Sequence, residues 1–199
     1  MPRSACAFTA AVLGLIALSG CAVPEADPLP ASTQAAPPYG YTDLCRRAPA
    51  FCVETGQSRK IPWSEALAAD LKSVTSAVNK RVTYRTDPER TGKTEHWEVA
   101  GDAGDCEDYA LAKMRALERR GYPRSALRLA IARRQRDDQL HAVLLVETTR
   151  GTYALDSSYH GVYPWNSLPY TNWRWEAHDH EDWARPSRDA PSEGEVAAD

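Results

Sequence analysis

Apolar residues recur at helical spacing from Leu67 to Asn79, with Leu67, Leu71, Val74 and Val78 on one stripe, and this predicts an amphipathic helix. Val82-Thr83-Tyr84 reads as a short extended piece before the Asp87-Pro88 turn. Residues 88–104 are polar and patternless around one large anchor, Trp97. A second helix opens at Cys106 with Asp105 as its N-cap, runs to Arg120 and stops at Gly121. Leu127 to Ala132 alternates as a strand, and Arg133 to Gln139 is the loop of a hairpin. His141–Val146 and Tyr153–Asp156 are the next two strands, turned at Gly151. Tyr163, Trp165, Tyr170, Trp173 and Trp175 read as a last strand closing the core, the alternative being an exposed platform for a partner.

The two ends carry no such pattern. Arg3 followed by the apolar run Ala10–Leu18 reads as a signal-peptide core, since the run is too short for a bilayer interior of about 30 Å. Leu18-Ser19-Gly20-Cys21 resembles the lipobox of bacterial lipoproteins, which implies cleavage before Cys21 and lipid on its thiol. The alternative is an ordinary secretory signal with Cys21 incidental. Ala22, in place of a retention Asp, points to the outer rather than the inner membrane. Residues 1–20 are thus a signal segment, 21–39 a Pro/Ala tether, 40–183 the folded domain and 184–199 a disordered acidic tail.

Charge and cysteine count narrow the chemistry. A formal charge of −3 over 199 residues lacks the basic excess that nucleic-acid binding needs. Cys45 and Cys52 are spaced for a local disulfide in an oxidising compartment, or stay as two reduced thiols. His178, His180, Glu181 and Asp182 resemble a metal cluster but read as a solvated segment, because no further ligand follows at useful spacing. Cys106 is left over. It falls in the first turn of a helix, where free N–H groups and the macrodipole favour a thiolate. Asp105, Glu107 and Asp108 oppose this, so either a basic side chain or a metal ion must sit among them. His141 starts one strand and Asp156 ends the next, so an antiparallel pair brings them together as a base and its orienting carboxylate.

These residues carry a resemblance. Gly104 to Ala110, His141 to Val146 and Leu155-Asp156 resemble the bacterial transglutaminase-like cysteine proteinases, the LapG-like group. Asn79-x-x-Val82-x-Tyr84-x-x-Asp87, Trp97 and the Cys45/Cys52 spacing add to it, while Ala100 and Ser157 stand where members often have Pro and Asn. The resemblance implies an α+β, papain-like/transglutaminase-like core with the nucleophile helix packed on an antiparallel sheet. It implies Cys106 as nucleophile, His141 as general base and acid, Asp156 as orienting carboxylate, and calcium on Asp105 and Glu107, with Asp108 a weaker candidate. No organic cofactor is expected. The implied protein substrate is a large surface adhesin, controlled by an inner-membrane receptor. Two other functions use the same residues: an acyltransferase with an amine acceptor, and a non-catalytic envelope binding protein that keeps the fold.

Overall fold

The computed structural model describes residues 23–52, 59–177 and 183–187. In chain order these form β1 (Ser32–Ala35), α1 (Tyr39–Arg47), α2 (Glu65–Arg81), β2 (Thr83–Tyr84), α3 (Asp87–Thr91), β3 (Ala103–Gly104) and α4 (Cys106–Arg119). There follow β4 (Leu127–Arg134), β5 (Leu140–Thr148), β6 (Gly151–Leu155), β7 (Tyr163–Pro164), β8 (Tyr170–Glu176) and β9 (Trp183–Pro186). Seven strands build one antiparallel sheet in the order β1-β9-β8-β4-β5-β6-β7, and β2 pairs with β3 in parallel. This is an α+β architecture. Among the described residues no helix is long and apolar enough to cross a membrane.

The predicted stripe of α2 is buried, and Ser64 caps its start by accepting the Leu67 N–H at 3.1 Å. Leu71 of α2 and Leu111, Met114 and Leu117 of α4 pack with Leu144, Val146, Tyr153 and Leu155 on one face of the sheet. The other face carries Ala130, Ala132, Val143, Leu145 and Ala154 beneath Trp165, Leu168, Tyr170, Trp173 and Trp175. Small residues beside large rings let the rings pack close against this face of the sheet. Since β5 is covered on both sides, Ala142–Val146 is a continuous apolar run. The aromatic run therefore closes the core, with only Tyr163 exposed. Cys45 and Cys52 are disulfide-bonded, with Cα atoms 5.5 Å apart, and tie the end of α1 to the turn that follows it.

Three expectations change. The stretch read as patternless begins with α3, whose capping box (Thr86 and Glu89) has the Thr86 N–H donating to Glu89 at 2.9 Å. The folded unit also extends past both expected boundaries. Ser32–Ala35 pairs with Trp183–Pro186, so segments read as tether and tail contribute the edge strand β1 and most of the strand beside it, β9. Ser32, Thr33 and Gln34 are exposed and only Ala35 is partly buried against the core, so the strand leaves no apolar alternation to read. Finally, β4 runs on to Arg134, which shortens the hairpin loop. Cys21 and the His178–Asp182 cluster lie outside the described residues, as do residues 188–199.

Lys113 of α4 is fully buried, with its Nζ donating to the Leu155 carbonyl at 3.4 Å. Burial pushes its pKa down to about 7 from 10.5, against the pull of the Asp156 charge. Between those values the unfolded chain binds a proton that the folded chain does not, so stability rises with pH across that window. Lys113→Met is expected to flatten this slope and to raise the melting temperature most at the acid end. Calorimetry across the window checks it, and an unchanged slope would refute the assignment.

Candidate active site

The site is assembled where β3 turns into α4. Gly104 is required there, because a Cβ on it would lie 2.7 Å from the Cβ of Asp108. Tyr84 pairs with Gly104 across β2 and β3 and fixes the helix entry. Asp105 occupies the N-cap position but does not cap the helix. Its Oδ2 instead accepts the Asp87 N–H at 3.1 Å, and its Oδ1 is buried with no partner.

Cys106 follows in the first turn, the one free cysteine among the described residues. Its thiol donates to Glu107 Oε2 at 3.1 Å and lies beside the backbone N–H of Ala142, the residue after His141. Burial and then the Glu107 charge push the thiol well above its usual range, and the Ala142 N–H opposes them.

His141 and Asp156 meet at the near end of the sheet. β6 ends at Leu155 opposite Leu144, which leaves Asp156 just past the ladder beside the start of β5. His141 Nε2 and Asp156 Oδ1 are 2.8 Å apart, and both residues are buried. Oδ1 also accepts the Ser158 N–H at 2.7 Å, and Oδ2 accepts the Tyr170 hydroxyl at 2.5 Å. Burial alone would raise the Asp156 carboxyl, but these bonds, foremost that from His141, hold it below the usual carboxylate range. The Asn79 amide pins the loop by donating to the carbonyls of Asp156 at 2.9 Å and Tyr159 at 3.1 Å.

Two of these supports were not among the expected site residues. Asn79 had a signal, as the first residue of the motif that runs to Asp87. Tyr170 had none, because nothing in an aromatic run marks the ring that reaches a carboxylate fourteen residues back.

The acidic residues divide into two groups. Asp108 accepts the Glu98 N–H at 2.8 Å and Arg90 Nη2 at 2.6 Å, and the same Arg90 nitrogen reaches Asp87 at 3.1 Å. A basic side chain therefore serves Asp108. Asp87, Asp105 and Glu107 instead bring carboxylate oxygens within 4.8 Å of one another. Burial and the Asp105 charge push Glu107 up to about 9, while burial and the Asp87 charge raise Asp105. Three hard oxygen donors, one of them buried and unpartnered, fit a calcium-class cation. Asp87 was missed as a member of this set because it lies eighteen residues upstream on α3.

The model of the bacterial transglutaminase-like cysteine proteinases matches residues 31–189. The chain belongs to this family. Among solved structures, calcium-bound LapG of Legionella pneumophila superposes with a TM-score of 0.52 and 23% identity, over 66% of this chain and 75% of that one. An EGTA-treated form of the same LapG gives a TM-score of 0.44 and 28% identity over 52% of this chain and 59% of that one. No curated protein matches the sequence. As a bacterial transglutaminase-like cysteine proteinase the chain is a cysteine peptidase, and its substrate is a protein.

Proposed function

We propose that the chain is a cell-envelope endopeptidase with Cys106 as nucleophile, His141 as general base and acid, and Asp156 as orienting carboxylate. The observation that carries this reading is the buried His141–Asp156 pair at 2.8 Å, on the strand whose next residue, Ala142, lies with its backbone beside the Cys106 thiol. With Nε2 engaged by Asp156, Nδ1 is the ring nitrogen left to take the thiol proton. The thiolate attacks the scissile carbonyl, and His141 returns the proton to the departing amine. A water activated by the same imidazole then hydrolyses the thioester. Asp156 stays ionised throughout, held by Tyr170 and Ser158, and fixes the imidazole tautomer.

Asp87, Asp105 and Glu107 would hold a calcium ion, which would supply the positive charge that thiolate formation beside three carboxylates requires. The calcium-bound state of the LapG structure supports this. The substrate is a large surface adhesin, and control comes from an inner-membrane receptor. Lipid on Cys21 holds the chain to the periplasmic side of the outer membrane, as the Leu18-Ser19-Gly20-Cys21 segment suggests.

Surface proteins compared between cells carrying the normal chain and Cys106→Ala test the substrate reading. A large protein shed only with the normal chain is expected, and identical profiles would count against it. Cys21→Ser should move the mature chain out of the membrane fraction; a mature form with Cys21 unmodified by mass spectrometry refutes the anchor.

A further inference from the structure

Charge is polarised across this site. The thiol sits beside Glu107, whereas the strand that carries His141 begins, at Leu140, among arginines. Leu140, the residue before His141, is 52% exposed and pairs with Arg133 across β4 and β5. Beside them opens a groove of about 600 Å³ walled by Arg133, Arg174 and Arg185, with Leu140 and Asn172 also on its lining. No carboxylate lines it among the described residues. Asn172 adopts a left-handed φ of 53°, next to a register shift between β4 and β8. Such bulges re-aim side chains beside functional sites.

Two of the guanidiniums are already oriented by the chain. Arg133 Nη1 donates to the Asp138 carbonyl at 2.6 Å, with the Asp138 carboxylate at 3.4 Å, and Arg174 Nη1 donates to the Ala36 carbonyl at 3.2 Å. A guanidinium has five N–H donors, so each has others left to offer. The volume is that of a ligand site rather than of a packing defect.

We propose that this groove extends the active site and takes an acidic, extended segment of the protein substrate. Its carboxylates meet Arg133, Arg174 and Arg185, and an apolar side chain rests on Leu140. The proposal rests on the peptidase reading above. A peptide suits the groove better than a nucleic acid, because Trp165 and Trp173, which also line it, are only 8% and 6% exposed and offer little ring face for a base to stack on.

The test uses the full chain with Cys106→Ala, so that nothing is cleaved, and a fluorescein-labelled peptide of glutamates flanking one leucine beside its glutamine counterpart. The glutamate peptide is expected to bind about tenfold tighter by fluorescence anisotropy, as one or two charge-assisted hydrogen bonds would give. Added salt should shrink that advantage. Arg133→Gln combined with Arg185→Gln should remove it at an unchanged melting temperature; Arg185→Gln alone, if the pair unfolds, should reduce it. Equal binding of the two peptides overturns the proposal, as does an advantage that survives these substitutions. Binding to phosphatidylglycerol vesicles that needs the arginines, with no preference between the peptides, also overturns it and gives the groove to a lipid headgroup. Cleavage plays no part in this readout. An unreactive Cys106 in the native chain would sink the peptidase reading separately.

Discussion

Cys106→Ala and His141→Ala are expected to abolish peptide-bond turnover, a loss of several orders of magnitude, in chains that still fold. The two effects should not add, because the thiol and the imidazole act as one proton-transfer unit. Folding should survive, since Cys106 is only partly buried and the Asp156 carboxylate keeps the Tyr170 hydroxyl and the Ser158 N–H when His141 is lost. Asp156→Asn is a subtler case. The amide can keep the contact with Nε2 in the wrong tautomer, so kcat should fall while KM holds. Turnover of a protein substrate and labelling of Cys106 by iodoacetamide measure these effects together. Near-normal turnover in Cys106→Ser would remove Cys106 from the nucleophile role.

Calcium should bind with a large effect on both stability and rate. The thiol donates to Glu107, whose carboxyl is pushed up to about 9 by burial and by the Asp105 charge. A cation that claims Glu107 and Asp105 takes this acceptor away from the thiol and offsets the carboxylate charge that, with burial, opposes the thiolate. Added calcium is expected to raise the melting temperature by mass action, and EGTA to reverse this and lower activity. Asp87→Asn, Asp105→Asn and Glu107→Gln should each weaken calcium binding in titration calorimetry. Asp108→Asn separates the two acidic groups. It should leave calcium affinity in place but cost about 1–3 kcal/mol of stability, because fully buried Asp108 accepts both Arg90 and the Glu98 N–H, while half-buried Arg90 keeps Asp87 and Glu98. No heat of binding at millimolar calcium, with activity indifferent to EGTA, would hand the neutralising role to basic side chains alone.

The hydrophobic pattern revealed α2, α4 and the strands from Leu127 to Asp156, because each buries a periodic face. Cys106, His141 and Asp156 were legible for a related reason: each stands at the boundary of such an element, and boundary positions are what topology brings together. Asp87 and Tyr170 were harder to see. Both reach the site from elements placed by long-range packing, and nothing in their neighbours marks the direction of their side chains. α3 had been readable through Thr86-Asp87-Pro88-Glu89, a capping box on a helix too short to show a period. Asp105 shows the opposite failure. Its local role as a cap is the common one, yet its carboxylate turns to Asp87, and only the distant partner explains why.

β1 has a consequence for handling and turnover of the protein. It is four residues long, stands between Pro30 and Pro37, and fills the hydrogen-bonding edge of β9. Proline on either side stops it from growing into a template for further strands. Trimming the chain beyond Ala35, by a stray protease or by the choice of an expression boundary, would uncover β9, whose first residue is the buried Trp183. The expected outcome is self-association through an unprotected sheet edge, in a molecule whose catalytic centre is untouched.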